Sequence, residues 1–392
     1  MLEAAPLLHR ALRKAGRKQF SDMGFLRPLE RLLQSYREEA ELSAFGRWAV
    51  HFDISRSLNN QLRMDAAEEV NPGICNRVIR KPLFITGLPR SGSTFLHALL
   101  AEDPENKVPR CWQVIYPHSN IRDGRIAHMR KLQVSLQLQL FQLLSPGLKK
   151  MHPFASDMPQ ECTDITAQVF QSLRFEVIHH LPSYRAWLAS KGHAEAFRFH
   201  RRFLQHLQGP SSSSYWILKS PDHVFSLDAI CATYSDARFV FMHRDPVSVV
   251  SSCTKLIEAL RRPFSRNVDG RAIGQYICDR LLSASEHMLR ASATLNSDRI
   301  LHLHYDQVAS EPMAAVQAIY CHHGRELTAS AENRMRRWLS QQEVKKRKQH
   351  QVGEYGIYAD RIYSDFVHYI DCFGVALSNN EPGKLIFTKA PN

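Results

Sequence analysis

The sequence lacks the marks of a secreted or membrane-spanning protein. Its eight cysteines are scattered, no Cys-x-x-Cys pair occurs, and there is no Asn-x-Ser/Thr sequon. The longest apolar runs are far too short to cross a bilayer, and residues 1–20 mix Glu, Arg and Lys among their leucines, unlike a signal peptide. We therefore predict a cytoplasmic protein without a membrane span. Its 392 residues, 44% of them apolar, suffice for a hydrophobic core.

Acidic side chains are outnumbered: 38 Asp and Glu stand against 51 Lys and Arg, and the formal net charge is +13 at pH 7. Such a field attracts polyanions, but zinc-finger spacings and aromatic–basic RNA motifs are absent, so we do not expect nucleic acid as a partner. Cys321-His322-His323 has no second ligand cluster at a suitable spacing, so no metal site is predicted. The dense basic run at 345–348 is compatible with a localisation signal, a solvated helix face or a clamp over an anion.

The stretch from 81 to 101 has the pattern of an anion site. Residues 82–86 form an apolar run that predicts a buried strand, and two glycines, Gly87 and Gly92, then bracket a turn. Ser93 or Thr94 is predicted to cap a helix, whose apolar positions are Phe95, Leu96, Leu99 and Leu100. Because loop amides and the helix dipole both favour negative charge, this order of elements suits a phosphate.

The spacing of this loop is that of a nucleotide P-loop with one change. In Gly87-x4-Gly92-Ser93-Thr94, Ser93 stands where the P-loop lysine belongs. That lysine serves the β- and γ-phosphates of a nucleoside triphosphate, so its loss counts against ATP or GTP hydrolysis. Arg90 restores one positive charge. A tight strand-to-helix turn without any ligand is the alternative interpretation of the loop alone.

The run GLPRSGSTFLHALLAEDP resembles the 5′-phosphosulfate loop of sulfotransferases that use 3′-phosphoadenosine 5′-phosphosulfate (PAPS), in its PRSGT version. The resemblance implies transfer of a sulfuryl group to an acceptor hydroxyl, with adenosine 3′,5′-bisphosphate (PAP) released. It implies that the cofactor is bound at the loop by Arg90, Ser91, Gly92, Ser93 and Thr94. The helical first 80 residues also resemble the N-terminus of the larger bacterial-type members.

Lys219 stands at the end of a second predicted strand, 215–218. In open α/β sheets, ligands bind at the carboxyl edge of the strands. The segment LKSP resembles the lysine-bearing segment of sulfotransferases, which implies that the ammonium contacts the transferring group, where oxygens gain negative charge. A surface lysine after an edge strand is the alternative.

A third predicted strand, 237–242, leads into His243-Arg-Asp-Pro. Asp245 is predicted to cap a helix whose first residue is Pro246. An arginine followed eight residues later by a serine resembles the pair with which sulfotransferases hold the nucleotide 3′-phosphate, and Arg244 and Ser252 have that spacing. A kinase has no need for a second phosphate site on this strand.

The general base departs from the family pattern. Related enzymes commonly have Trp-Glu where this chain has Trp112-Gln113, and an amide cannot accept a proton. The stretch 151–162 resembles the acidic, histidine-bearing stretch of the family, so Glu161 and then His152 are the candidate catalytic bases. Glu161 also suits the first turn of a helix, which is the alternative explanation for it.

The sequence thus predicts an α/β fold: a P-loop-like parallel sheet flanked by helices, with a helical N-terminal leader and a helical acceptor cap. We expect the leader at 1–80 to pack on a sulfotransferase domain at 81–392, which contains a helical insertion at about 120–210. A basic lid at about 343–360 is expected to bring Arg347 to the cofactor. The acceptor is expected to be a small molecule, lipid or glycan, and homo-oligomerisation stays open. The rival functions are a P-loop kinase or NTPase and a non-catalytic polyanion-binding protein.

Overall fold

A five-stranded, fully parallel sheet forms the centre of the computed structural model, which describes residues 2–117, 124–144, 155–209, 215–342 and 352–377. The strand order is β2-β3-β1-β4-β5. The strands are β1 (Leu83–Gly87), β2 (Asn106–Lys107), β3 (Tyr215–Lys219), β4 (Arg238–His243) and β5 (Ile300–His304). The predicted α/β fold with a parallel sheet is therefore confirmed. The polar two-residue strand β2 was not predicted.

Helices cover both faces of the sheet, as a parallel sheet requires. In chain order they are α1 (Ala4–Ala15), α2 (Leu26–Glu38), α3 (Ala44–Val70), α4 (Ser93–Leu100), α5 (Cys111–Ile115), α6 (Gly124–Leu144), α7 (Thr163–Thr166), α8 (Arg174–Ile178), α9 (Pro182–Lys191), α10 (Ala194–Gln208), α11 (Leu227–Thr233), α12 (Pro246–Arg261), α13 (Gly270–Thr294), α14 (Tyr305–Ser310), α15 (Pro312–His323), α16 (Ala329–Ser340), α17 (Ala359–Asp365) and α18 (Val367–Phe373). Short 3-10 helices occupy Pro72–Asn76, Ala167–Val169, Pro221–Ser226, Ser297–Arg299 and Val352–Tyr355.

The sheet separates two hydrophobic cores. Successive side chains of a strand point to opposite faces, so Leu83 and Ile85 enter one core while Phe84 enters the other. The smaller core also contains apolar side chains of α4 and α15. The larger core contains buried leucines of the leader, such as Leu29 and Leu58. The leader therefore shares one continuous core with the sheet.

The insertion predicted at about 120–210 lies between β2 and β3, and its described part contains the helices α6 to α10 together with a non-helical stretch at 155–162. In the described parts of the chain, no helix combines the length and apolarity needed to cross a bilayer. Of the predicted lid, residues 343–351 with Arg347 lie outside the described residues. The part from 352 onward packs on α12, where the Tyr355 hydroxyl donates to Glu258 Oε2 at 3.1 Å.

Candidate functional site

The glycine loop between β1 and α4 is held against β4. Gly87 has a φ of 117°, and a Cβ there would lie 2.4 Å from the carbonyl oxygen of Met242. The next amide, of Leu88, donates to that same oxygen at 3.2 Å. A residue with a side chain would therefore have to push β1 and β4 apart. This contact explains the first glycine of the loop as a packing requirement of the sheet.

The helix after the loop begins differently from the prediction. Its N-cap is Gly92, with a φ of 87°, and no side chain caps α4. The predicted cap by Ser93 or Thr94 is therefore wrong, because both residues already lie in the first turn. The loop enters the helix through a left-handed residue, which glycine adopts without steric cost. Ser91 is fully buried and its hydroxyl donates to Leu88 O at 2.5 Å, which closes the loop on itself.

Lys219 points from the end of β3 to the first turn of α4. Lys219 is paired with Ile85 of β1, so the ends of the two strands lie side by side. The Lys219 Nζ donates to Thr94 Oγ1 at 3.0 Å and lies 2.5 Å from Glu161 Oε1. The side chain is only 2% exposed, and these two oxygens satisfy its buried ammonium. The lysine, the loop helix and a carboxylate therefore meet at one point.

Glu161 reaches this point through backbone pairing. The amide of Gln160 donates to Pro109 O at 2.7 Å, and the amide of Cys162 donates to Lys219 O at 3.0 Å. Helix α7 begins only at Thr163, so Glu161 lies before the helix and not in its first turn. Its carboxylate is partly exposed and lines the cavity described below. The position is therefore open to a substrate from one side.

Gln113, whose amide cannot serve as the base, has a local structural contact. Its Oε1 accepts from the backbone amide of Arg110 at 3.0 Å, which gives that amide a partner at the start of α5. The neighbouring Trp112 Nε1 donates to Asp157 Oδ1 at 3.1 Å. The bond from Trp112 joins α5 to the segment that carries Glu161.

Arg90, Arg244 and Ser252 come together at the ends of β1 and β4. Arg90 Nε donates to Ser252 Oγ at 2.9 Å, and Arg244 Nη1 donates to the carbonyl oxygen of Arg90 at 2.6 Å. The Arg244 guanidinium lies 3.9 Å from the centre of the Tyr305 ring, a cation–π contact. Asp245 caps α12 ahead of Pro246, as predicted, by accepting from the Ser248 amide. Two guanidinium groups and a hydroxyl thus flank the loop.

A cavity of about 920 Å³ opens in front of the loop. Gly92, Ser93, Thr94 and Glu161 form its polar floor, and most of the remaining wall is apolar. The apolar wall includes Phe52, Val114, Leu138, Phe141, Phe225, Leu260 and Phe264. A cavity of this size and lining suits a largely apolar small molecule that presents one polar group to the floor.

Two partly buried charge clusters beside the floor were missed by sequence reasoning. Arg280 forms an ion pair with Asp222, just after Lys219, and also donates to the Tyr276 hydroxyl at 2.7 Å. Burial raises the pKa of Asp222, although the charge of Arg280 opposes this. Arg174 bridges Asp53 at 2.6 Å and Asp164 at 3.1 Å. Only Asp222 gave a sequence signal, since it follows the LKSP segment directly.

His97 lies on α4 below Lys219 and is completely enclosed. Its Nε2 bonds to the carbonyl oxygen of Ile217 at 3.0 Å. Burial, assisted by the positive charge of Lys219, lowers the pKa of His97 to about 3. The imidazole is therefore neutral at physiological pH and contributes a hydrogen bond to β3. The other candidate base, His152, lies outside the described residues.

Comparison with known proteins agrees with this geometry. The sequence profile of the Sulfotransferase family matches residues 82–329, more than half of the chain. The chain belongs to the sulfotransferase family. It is 23% identical over 254 residues to omega-hydroxy-beta-dihydromenaquinone-9 sulfotransferase Stf3 from Mycobacterium bovis and from Mycobacterium tuberculosis. That match spans 62% of this chain and 62% of the length of these relatives.

Two solved structures share the whole architecture. Sulfotransferase STF1 from Mycobacterium tuberculosis superposes with a TM-score of 0.81 and 26% identity, covering 94% of this chain and 99% of that one. Sulfotransferase STF9 from Mycobacterium avium gives a TM-score of 0.86 at 24% identity, over 96% and 98% of the two chains, and supports the fold. The prediction of a sulfotransferase is therefore confirmed at the level of family and fold.

Proposed function

We propose that this protein transfers a sulfuryl group from PAPS to the hydroxyl of an apolar, lipid-like acceptor and releases PAP. The observation that carries the proposal is the meeting of Lys219, Thr94 and Glu161 on the floor of a largely apolar cavity. A cation, a phosphate-binding loop and a proton acceptor are the groups that such a transfer needs in one place. The cavity of about 920 Å³ leaves room for the acceptor.

The residues around the loop fit the donor. The N-terminus of α4 faces the floor without a side-chain cap, and anions bind well at such a position. We assign the 5′ end of the nucleotide to the loop, from Arg90 through Thr94. The 3′-phosphate is assigned to Arg244 and Ser252, and Arg90 contributes to that site because its Nε already bonds to Ser252 Oγ. Guanidinium groups are well suited to phosphate oxygens. A contact from Arg347 stays a prediction.

The roles in the transfer follow from the charges. When bound, PAPS supplies an activated sulfuryl group, whose bond to the 5′-phosphate oxygen breaks as the acceptor oxygen bonds to sulfur. Glu161 accepts the proton of the acceptor hydroxyl. Lys219 donates a hydrogen bond to the phosphate oxygen that gains negative charge, and Thr94 holds the ammonium in position. As in phosphoryl transfer, most of the rate enhancement comes from positioning and charge stabilisation.

The acceptor class follows from the cavity. Most of its wall is apolar, with five phenylalanines and four leucines among the lining residues. The Stf3 relatives are named for a dihydromenaquinone, a lipid-like quinone, which supports a hydroxylated lipid here. All eight cysteines are free thiols, which supports the cytoplasmic setting predicted from the sequence.

Calorimetry tests the nucleotide site directly. The purified chain is titrated with PAP, with ATP plus Mg²⁺ and with duplex DNA. We expect PAP to bind far more tightly than the other two. Turnover of ATP in the presence of Mg²⁺ would establish the kinase or NTPase alternative, and tight binding of DNA without PAP binding would establish a polyanion-binding protein. The acceptor is then identified by mass spectrometry of lipid extracts after incubation with labelled PAPS.

A further inference from the structure

Helix α6 has two opposite apolar faces. Its inner face carries Val134, Leu138 and Phe141, of which Val134 is buried and the other two line the cavity. The other face carries an outer stripe of five side chains at intervals of three or four residues, each between 50% and 78% exposed: Met129, Leu132, Leu136, Leu140 and Leu143. A monomeric protein in water gains nothing from such a stripe, and a contiguous exposed apolar surface marks a contact with a partner or a membrane.

An aromatic row connects the C-terminal half of α6 with α3. The rings of Phe141, Phe264, Phe45, Trp48 and Phe52 stack in this order, with centroids 5.5–5.7 Å apart. Two members of the row lie at the surface, since Trp48 is 55% and Phe52 is 41% exposed. Phe52 also lines the cavity, so the cavity opens to solvent beside this row.

The charges around the stripe select one partner. Helix α6 contains no Asp or Glu, and the exposed side chains of Arg125 and His128 stand near its first turn. A helix with Leu and Met on one face, basic groups beside it and a neighbouring Trp has the composition of helices that lie in a membrane interface. The formal charge of +13 makes two copies of the chain repel each other but attracts them to an anionic bilayer.

We propose that the outer stripe of α6, together with Trp48 and Phe52, docks on the surface of an anionic lipid bilayer. The mouth of the cavity then faces the membrane, and a hydroxylated lipid enters along the aromatic row without crossing water. The docking surface is inferred from the exposure of apolar side chains on α3 and α6 and from the basic groups beside them. Only the identity of the entering molecule rests on the proposed function.

Vesicle co-sedimentation of the full chain tests this proposal. We would compare vesicles of phosphatidylcholine with vesicles that contain about 30% phosphatidylglycerol. The test variant combines Leu132→Gln, Leu136→Gln and Leu140→Gln. The matched control combines Val70→Gln, Val78→Gln and Val367→Gln, three changes at apolar side chains that are also exposed but lie outside the stripe.

We expect the wild type and the control to bind the anionic vesicles, and the test variant to bind about tenfold more weakly or worse, because three inserting side chains are lost. High salt is expected to weaken binding of the wild type. PAP affinity, measured by calorimetry, is expected to be the same in all three proteins, which shows that the test variant is folded.

Several outcomes would overturn the docking surface. The proposal is wrong if the wild type sediments with neither kind of vesicle. It is also wrong if the test variant binds the anionic vesicles as well as the control does. A concentration-dependent dimer in analytical ultracentrifugation that the test variant abolishes, without vesicle binding, would assign the stripe to a second copy of the chain. A wild type that binds vesicles but not PAP would leave the docking surface intact and remove the proposed function instead.

Discussion

Lys219 and Glu161, 58 residues apart in the chain, form an ion pair with 2.5 Å between Nζ and Oε1. Lys219 is almost completely buried, whereas Glu161 is exposed to the cavity on one side. The pair therefore places a cation toward the loop and a carboxylate toward the cavity. In the proposed reaction each partner serves a different reactant, so removing one or the other should change the kinetics in different ways.

Replacement of Lys219 by methionine should slow the reaction without weakening nucleotide binding. The side-chain volume is nearly kept, but the ammonium that stabilises the negative charge developing on the phosphate oxygen is lost. Turnover should therefore fall by about 10²-fold or more. PAP affinity, measured by calorimetry, should change little. Lys191→Met, which removes a partly exposed lysine paired with Glu195 on the molecular surface, is the control. A loss of PAP affinity as large as the loss of turnover would contradict the transition-state role.

Replacement of Glu161 by glutamine keeps the shape of the side chain and removes the proton acceptor. We expect PAPS-dependent transfer to slow by about 10²–10⁴-fold. Glu195→Gln, the other half of the surface pair, should have nearly wild-type activity. If Glu161→Gln is almost fully active while His152→Ala is inactive, the base is His152. If neither change slows transfer, water or the acidity of the acceptor itself replaces a protein base.

Loss of Arg244 should remove the preference for a nucleotide with a 3′-phosphate. Charge-assisted hydrogen bonds contribute roughly 1.5–3 kcal/mol each, so the parent protein should bind PAP at least about tenfold more tightly than 5′-AMP. Arg244→Ala should abolish most of this difference, and Ser252→Ala part of it, in calorimetric titrations with both nucleotides. Arg198→Ala, at an exposed arginine of α10, should preserve it. Equal affinities of the parent protein for the two nucleotides would refute the assignment.

Local sequence patterns were sufficient for the parts of the fold that are encoded locally. The strands predicted at 82–86, 215–218 and 237–242 agree with β1, β3 and β4 to within one residue at each end, because apolar runs bounded by turn residues are contiguous signals. Asn106–Lys107 was missed, since two polar residues carry no strand signal and pair only because β3 lies alongside. The N-cap predicted for α4 was wrong because Ser93 and Thr94 are common cap residues, whereas the cap is Gly92, which adopts a left-handed conformation.

The site was predictable where topology alone brings residues together. Lys219 and the glycine loop both stand at carboxyl ends of strands, so the sheet places them side by side. Arg280 could not be predicted, because its partner Asp222 lies 58 residues away and a long helix gives no sign of which arginine points inward. The same holds for Arg174, whose partner Asp53 is 121 residues away.

The close approach of β1 to β4 predicts a large cost for a methyl group at Gly87. A Cβ there would lie 2.4 Å from Met242 O, and the φ of 117° is unfavourable for other residues. Gly87→Ala should lower the free energy of unfolding by at least about 2 kcal/mol, measured from urea midpoints. Gly124→Ala, where a Cβ meets nothing within 4 Å, should be close to neutral. A Gly87→Ala protein as stable as the Gly124→Ala protein would show that the strands separate easily.

Buried histidines predict that the protein loses stability in mild acid. Burial lowers the pKa values of His97, His179 and His200 to about 3 each, from an ordinary value of 6.5. At pH values between these two pKa values, the histidines are protonated in the unfolded chain but neutral in the native state. The free energy of unfolding therefore rises with pH through this window. The contribution of these histidines to stability is fully present above about pH 6.5 and is lost as the pH falls toward about 3.

His97→Gln should remove one such contribution. The glutamine amide can donate to Ile217 O in place of the imidazole Nε2, and it does not titrate. From about pH 7.5 to about pH 5.5, one histidine of this kind accounts for roughly 1.4 kcal/mol, because only the unfolded state is protonated there. Urea unfolding at both pH values should thus show a smaller pH-dependent loss in His97→Gln than in the wild type, by about that amount. An identical loss in His97→Gln and the wild type would mean that His97 is protonated in the native state as readily as in the unfolded chain.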